Sequence, residues 1–302
     1  MKRLSVLAVC WLLVCGCGQK PETPPVVNPL DLFPKPNEFQ SNQLARASES
    51  LRGSVTNLDL SWVVDMGAVA VPALVAWAGD TNLTAEARDG VLILLGNSLK
   101  KIALHETPDA RNELLVPVLV RGISDADVRV RRSAAYAARW MCDGRLVTPL
   151  RALFADKDIA QEQAVLAVGS NGGEMEVLPV LKMFFETSDG KFRYSCLYAL
   201  STLCLRRDVD VAVVLRQNAT VFGEKNVANA DSLAGRFAEW RAYRNLVKQL
   251  ESPDATARQQ AEDALAKISP AKEVTGVEAW KKYLVSDFWL QPPPPKPPAA
   301  TN

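Results

Sequence analysis

Apolar residues recur along much of the chain with the period of an α-helix. Across residues 128–142, a step of about 100° per residue gathers small and apolar side chains on one side of a helix, at Val130, Ala134, Ala137, Ala138 and Met141. The opposite side carries Arg129, Arg132, Tyr136 and Arg139. The alternation typical of β-strands does not occur over any length, so the pattern predicts an all-α protein whose alanines let neighbouring helices approach closely.

A unit of two helices recurs along the middle of the chain. Each copy has a proline near the start of an apolar helical stretch, at Pro72, Pro117, Pro149 and Pro179. Each proline is followed by an aspartate suited to cap the second helix of the pair, at Asp80, Asp125, Asp156 and Asp189. These aspartates are 45, 31 and 33 residues apart, and periods of this size indicate a solenoid of stacked helical pairs.

The repeat becomes less regular towards the C-terminus. The next aspartate in register, Asp254, comes 65 residues after Asp189, which is near twice the repeat length. We expect a degenerate unit in this gap, formed by residues 209–215 and 233–243. Val277, Trp280 and Leu284 then form a last amphipathic stripe, which we expect to cap the end of the stack.

The fullest copy of the unit consists of a first-helix proline, a turn aspartate, and a valine and basic residue of the second helix: Pro117, Asp125, Val130 and Arg131. It resembles the HEAT-repeat family, particularly the short bacterial HEAT-like units, which also occur in bilin lyases. The resemblance covers residues 40–285 and implies an α-solenoid, a superhelical stack of antiparallel helix pairs. In that family the Asp and Arg tend to form a ladder between repeats, which implies structural roles for Asp125 and Arg131. Glu162 departs from this pattern, because it stands where the next Arg would fall.

Two other repeat families fit less well. Residues 148–151 resemble the ankyrin tetrapeptide Thr-Pro-Leu-His, but the other copies lack its Thr and His. The aromatic and Gly/Tyr pattern of tetratricopeptide repeats is not visible in the chain. HEAT-like repeats are therefore favoured.

The first seventeen residues resemble an export and lipidation signal. Lys2 and Arg3 precede an apolar run over residues 4–14, which is shorter than the roughly 20 residues that a membrane-spanning helix needs. Residues 14–17 resemble the lipobox of bacterial lipoproteins, so Cys17 is the predicted lipid anchor. The alternatives are an ordinary signal peptide cleaved elsewhere and a short uncleaved anchor. Because Gly18 replaces the Asp that favours inner-membrane retention in the enteric lipoproteins, we expect the outer membrane, facing the periplasm.

Composition then divides the chain. Residues 1–16 form the predicted signal peptide, residues 17–37 a proline-rich tether, residues 38–290 the repeat domain, and residues 291–302 a disordered proline-rich tail. Removal of Lys2 and Arg3 leaves 33 basic against 34 acidic residues. A chain so close to neutral has no overall basic field, and we expect no nucleic-acid partner.

One region departs from this balance. Residues 111–151 contain eight arginines against four acidic residues. We expect Arg129, Arg132, Tyr136 and Arg139 to contact an acidic protein segment, an anionic polymer or lipid headgroups. The alternative is a helical face that only contacts solvent.

Motifs that carry chemistry are missing from the sequence. His105 is the one histidine, and no second ligand follows it at zinc-site spacing. The glycine cluster at 169–173 lacks the Gly-Lys-Ser/Thr ending of a phosphate loop. Cys196 and Cys204 are eight residues apart on one predicted helix, about 12 Å along its axis, which is beyond disulfide reach. We expect no cofactor and no metal.

These features predict a lipid-anchored, non-enzymatic scaffold or adaptor that binds another envelope protein or peptide. One alternative is an enzyme of the HEAT-like lyase or chaperone type, although those proteins act mostly inside the cell. Another is a purely structural subunit of a larger envelope assembly.

Overall fold

The computed structural model describes residues 28–53, 60–102, 109–156, 159–206, 209–218, 230–268 and 274–290. These residues form α-helices and short 3-10 turns, and no β-strand. The α-helices are α1 (Glu38–Arg52), α2 (Ser61–Asp65), α3 (Val71–Ala78), α4 (Ala85–Ile102), α5 (Asn112–Ile123), α6 (Val128–Ala138), α7 (Val147–Ala152), α8 (Ile159–Asn171), α9 (Glu174–Glu186), α10 (Gly190–Leu205), α11 (Val211–Gln217), α12 (Ala230–Gln249), α13 (Ala255–Ile268) and α14 (Val277–Leu284). The all-α prediction is confirmed.

Four consecutive helical pairs form the centre of the molecule. α3 packs on α4, α5 on α6, α7 on α8, and α9 on α10. The second helices lie side by side in the order α4, α6, α8, α10, while α5 contacts both α3 and α7 in a separate row. Each pair thus buries its apolar surface against the next pair, and the chain is a HEAT-like α-solenoid, as predicted.

Small residues set the spacing of the second helices. The apolar side predicted over residues 128–142 is buried, with exposed fractions of 1% or less at Val130, Ala134, Ala137, Ala138 and Met141, although α6 ends at Ala138 and Met141 follows it. At the far end of the same helix, the side-chain amide of Asn171 in α8 donates to the carbonyl oxygen of Ala138 at 2.8 Å. Because the ends of α6 and α8 meet in this way, the two helices run parallel.

The repeat prolines lie at different depths in the first helices. Pro72 is the second residue of α3 and Pro149 the third residue of α7, whereas Pro117 and Pro179 are the sixth residues of α5 and α9. The prediction that each proline lies near a helix start is therefore wrong for Pro117 and Pro179. A proline inside a helix removes one backbone hydrogen bond. Pro117 is exposed, so water can bond to the carbonyl oxygen of Glu113 that loses its partner.

The turn aspartates hold the bend between paired helices in two ways. Asp189 caps α10, as predicted, and accepts a hydrogen bond from the backbone N–H of Lys191 at 2.8 Å. Asp125 instead precedes the cap of α6, which is Asp127, and accepts from the N–H of Asp127 at 2.9 Å. Asp80 accepts in the same way from the backbone N–H two residues later, at 3.0 Å. The capping prediction is wrong at Asp80 and Asp125, because their turns extend beyond the aspartate before the next helix begins.

The folded part begins earlier than the predicted boundary at residue 38. Residues 29–32 form a 3-10 turn, and Phe33 is only 4% exposed in the core. The guanidinium carbon of Arg111 lies 5.9 Å from the centre of the Phe33 ring. The assignment of residues 28–37 to the tether is therefore corrected, because burial of the Phe33 ring fastens this segment to α5.

Several predictions concern parts of the chain outside the described residues. These are the signal peptide at 1–16, the anchor Cys17 with the tether over 18–27, His105, and the tail at 291–302. Among the helices that the structure describes, none combines the length and the apolar character needed to cross a membrane.

The regular stacking changes at α12. The ring centre of Trp240 in α12 lies 5.2 Å from that of Tyr194 and 6.4 Å from that of Tyr198, both in α10. Further along α12, Arg244 donates a hydrogen bond to the hydroxyl of Tyr194, towards the start of α10. α12 thus runs antiparallel to α10, although α4, α6, α8 and α10 are parallel to one another. The expected degenerate unit does bring α11 and α12 into contact, but its second helix is reversed.

The C-terminal helix and the turn after it cover α12. The indole N–H of Trp240 donates to the carbonyl oxygen of Leu284 at 2.8 Å, and that of Trp289 donates to the carbonyl oxygen of Tyr283 at 3.0 Å. Trp289 is fully buried, Leu284 is 2% exposed and Trp280 is 5% exposed. The stripe predicted as a cap therefore packs onto α12.

Candidate binding surface on the second helices

Ion pairs join successive repeats along the turn side of the solenoid. In each pair an arginine of one unit reaches the turn aspartate of the next unit: Arg52 and Asp80 at 3.2 Å, Arg88 and Asp125 at 2.8 Å, and Arg131 and Asp156 at 2.9 Å. Arg131 also donates to the carbonyl oxygens of residues 125 and 126, at 3.1 and 2.9 Å. At the next junction Glu162 takes the place of the arginine and pairs with Lys191 at 3.1 Å, so the charges are exchanged but the link is kept.

Three of the four predicted binding residues are engaged within the protein. Arg129 pairs with Asp127 at 2.8 Å, and Arg132 pairs with Asp89 of α4 at 3.2 Å. The hydroxyl of Tyr136 donates to the side-chain oxygen of Asn97, also in α4, at 2.7 Å. The helical wheel of α6 could not show the contacts of Arg132 and Tyr136, because they depend on which polar groups α4 presents to the flank of α6.

Arg139, the fourth predicted residue, belongs to a cluster that the sequence did not predict. Its guanidinium carbon lies 4.6 Å from the centre of the Tyr198 ring. Arg244 and Arg241 of α12 approach the same ring, at 4.8 and 5.5 Å. We call Tyr198 and these three arginines the Tyr198 cluster. It joins α6, α10 and α12, and all four side chains are partly exposed.

The positive charge of the Tyr198 cluster is not neutralised within the described residues. No ion pair there involves Arg139, Arg241 or Arg244, in contrast to the paired arginines of the inter-repeat junctions. Burial raises the pKa of the Tyr198 hydroxyl, but the hydrogen bond from Arg139 and the field of the three arginines outweigh burial and hold the pKa below its ordinary value. The cluster is thus a site of positive potential that suits an anionic group.

Aromatic residues extend this surface along the second helices. The ammonium of Lys100 in α4 lies 5.4 Å from the centre of the Trp140 ring, and the guanidinium carbon of Arg139 lies 5.1 Å from it. A cation held over an aromatic ring loses little side-chain entropy when it binds a partner. Aromatic and arginine side chains also contribute most of the binding energy at many protein interfaces. The arrangement therefore fits a surface for protein contacts.

The spacing of some residues in and beside this cluster could have been noticed in the sequence. Tyr194 and Tyr198 are four residues apart and Arg241 and Arg244 three apart, so each pair shares a helix face. That the two faces meet could not be predicted, because the spacing between the helices does not fix the direction in which α12 packs against α10.

Two of the described thiols, those of Cys196 and Cys204, are poorly suited to act as nucleophiles. Burial raises the pKa of Cys196 and of Cys204 to about 12, so both stay protonated at neutral pH. Neither forms a disulfide. In the part of the chain that the structure describes, no three His, Cys, Asp or Glu side chains come together as a metal site requires.

Comparisons with known proteins do not assign this chain to a family. No family model matches this chain, and no curated protein matches it. Among solved structures, a designed armadillo repeat protein, YIII(Dq)4CqI, is 15% identical and matches over 80% of this chain and 98% of its own, with a TM-score of 0.37. The assignment to the class of HEAT-like α-solenoids therefore rests on the stacked helical pairs themselves. Solenoids of this class present extended surfaces of the kind that protein-interaction scaffolds use.

Proposed function

We propose that this protein is a lipid-anchored, non-enzymatic scaffold of the bacterial cell envelope, and that it binds a partner protein through the Tyr198 cluster. The observation that carries the proposal is the convergence of Arg139, Arg241 and Arg244 on one ring without a carboxylate partner in the described residues. Uncompensated charge is unfavourable for the isolated fold, and an anionic partner group removes that cost.

The anchor and the surface have separate tasks in this proposal. A lipid on Cys17 holds the chain at the membrane. Because Phe33 fastens the chain from residue 28 onward, only the ten residues 18–27 separate anchor and domain, which makes eleven residue-to-residue steps. At about 3.1 Å per residue in an extended proline-rich chain, the reach is roughly 34 Å. The start of the folded domain is therefore expected within a few nanometres of the membrane.

The binding role is tested by crosslinking in intact cells. We compare the wild type with Arg241→Glu/Arg244→Glu and with a control, Arg46→Glu/Lys182→Glu, which makes the same charge change on exposed residues of α1 and α9. A specific crosslinked envelope protein should be recovered with the wild type and the control, and about tenfold less with the cluster variant. Equal recovery from all three proteins would contradict the proposal, and so would the recovery of no specific partner with any of them.

The anchor is tested separately by metabolic labelling with a fatty acid. Label should enter the wild type and be lost in Cys17→Ala. Equal label in both proteins would remove the lipid anchor from the proposal and leave the binding surface unaffected.

A further inference from the structure

A groove opens beside the Tyr198 cluster, between the start of α10, the end of α12 and α14. Its volume is about 540 Å³, within the range of about 300–1,000 Å³ that is usual for ligand pockets. Tyr194 and Arg244 line this groove. Arg244 belongs to the Tyr198 cluster and donates a hydrogen bond to the Tyr194 hydroxyl, so the groove and the cluster share a residue. We call this groove the terminal groove, and it is continuous with the binding surface proposed above.

Basic side chains dominate the terminal groove. It is lined by five of them: Lys191, Arg244, Lys248, Lys281 and Lys282. Its two acidic residues, Glu251 and Glu278, both pair with Lys281, at 2.7 and 3.0 Å. Within the described residues Lys248 and Lys282 have no ion-pair partner, and both are exposed. The groove therefore keeps an excess of positive charge.

The groove also has an apolar side. Val285, which is partly buried, lines the groove together with Val247 and Leu284, which are 3% and 2% exposed. An extended peptide points successive side chains in opposite directions, so acidic residues can meet the basic rim while apolar ones face these aliphatic side chains. A flat anionic membrane has no comparable way to enter a concave groove.

We infer that the terminal groove receives an extended acidic segment of the partner, which continues onto the Tyr198 cluster. The inference rests on the proposed function, since the groove is the end of the same surface. It adds the chemistry of the ligand: a peptide strand in which carboxylates alternate with small apolar side chains.

The probe is a fluorescent peptide of about eight residues, roughly 26 Å when extended, in which Glu alternates with Val. The control peptide has Gln in place of each Glu. Binding to the full chain in detergent is measured by fluorescence anisotropy for the wild type, Lys248→Glu/Lys282→Glu, and the control Lys182→Glu/Lys267→Glu, whose residues are exposed on α9 and α13. All four lysines are exposed, and thermal unfolding checks that each variant is folded.

The acidic peptide should bind the wild type and the control, and bind the groove variant about tenfold more weakly. Its affinity should fall as salt shortens the Debye length from about 30 Å at 0.01 M to about 8 Å at 0.15 M. The Gln peptide should bind weakly to all three proteins. Equal affinity of the wild type and the groove variant for the acidic peptide would overturn the inference.

Vesicle binding and partner capture distinguish a peptide groove from a lipid site, and the groove from the Tyr198 cluster. Vesicles of phosphatidylglycerol should sediment equal amounts of wild type and groove variant. If the lysine changes weaken vesicle binding and not peptide binding, the groove is a lipid site and the inference fails.

If the envelope partner is lost with Arg241→Glu/Arg244→Glu but fully retained with Lys248→Glu/Lys282→Glu, the inference fails while the proposed function stands. If no partner is captured by any protein but the peptides bind as expected, the groove chemistry stands and the proposed function fails.

Discussion

Gly169 in α8 lies directly against Ala199 in α10. A Cβ atom placed on Gly169 would come within 2.9 Å of the Cα atom of Ala199 and 3.2 Å of its carbonyl oxygen. Because these neighbours are backbone atoms, neither can rotate away. The contact sets the spacing of two second helices at the centre of the solenoid.

Gly169→Ala should therefore destabilise the protein. The added methyl group forces α8 and α10 apart, which we expect to cost about 1–3 kcal/mol, more than the gain of up to about 1 kcal/mol that Ala brings to a helix. The matched control is Gly90→Ala in α4, where an added Cβ meets nothing within 4 Å and the expected change is a small stabilisation. Urea unfolding measures both. A Gly169→Ala protein as stable as the Gly90→Ala protein would show that the helices are not in close contact.

The inter-repeat ion pairs should contribute more to stability than the exposed pairs. Arg131→Ala removes a half-buried partner of Asp156 and two bonds to turn carbonyl oxygens, and should cost about 2–3 kcal/mol. Arg129→Ala removes an exposed pair with Asp127, which solvent screens, and should cost clearly less than Arg131→Ala. Denaturant unfolding of the two variants tests the difference, and equal losses would argue against a structural role of the ladder.

The packing of residues 28–37 can be tested with two phenylalanines. Phe33 is 4% exposed and Phe39 is 68% exposed. Phe33→Ala should destabilise the protein by up to about 3–5 kcal/mol and make the segment before α1 sensitive to proteolysis, whereas Phe39→Ala should change stability little. Proteolysis followed by mass spectrometry checks this. If cleavage before α1 occurs at the same rate in the wild type and both variants, residues 28–37 belong to the tether and not to the folded domain.

Acid should weaken the fold through aspartates that accept hydrogen bonds from a neighbouring arginine. The side-chain hydrogen bond from Arg129, followed by the bond from its backbone N–H, lowers the pKa of Asp127 to about 2. Side-chain bonds from arginine also lower the pKa of Asp109 and Asp143. Between pH about 4 and pH about 2 the unfolded chain then binds protons that the native state does not, so the unfolding free energy falls as pH falls.

Unfolding in urea at stepped pH values measures this effect. The stability that ionised Asp127 contributes should be fully present above pH about 4 and lost towards pH about 2. Asp127→Asn should reduce the slope in that window. Stability that stays constant or rises from pH 4 to pH 2 would contradict the assigned pKa shifts.

Local pattern was sufficient for the helices and their buried sides. The apolar positions of α6 and the cap stripe of α14 follow from periodicity alone, because one turn of helix fixes which side chains share a face. The length of the repeat predicted stacked helical pairs, because a single pair cannot bury its own apolar side. The prolines were recognised as markers of the first helices, but their depth in each helix depends on where the preceding turn ends.

The sequence by itself therefore determined the all-α class, the repeat and the core of each unit. Only the tertiary structure decided what the charged residues do. Arg132 and Tyr136 bond to α4, while Arg139 meets Arg241 and Arg244 over Tyr198, because α12 runs antiparallel to α10 and brings residues more than a hundred positions apart to one ring. The period within one helix determines which side chains are buried. The partner of a surface charge depends instead on which helix packs beside it, and that depends on the path of the chain.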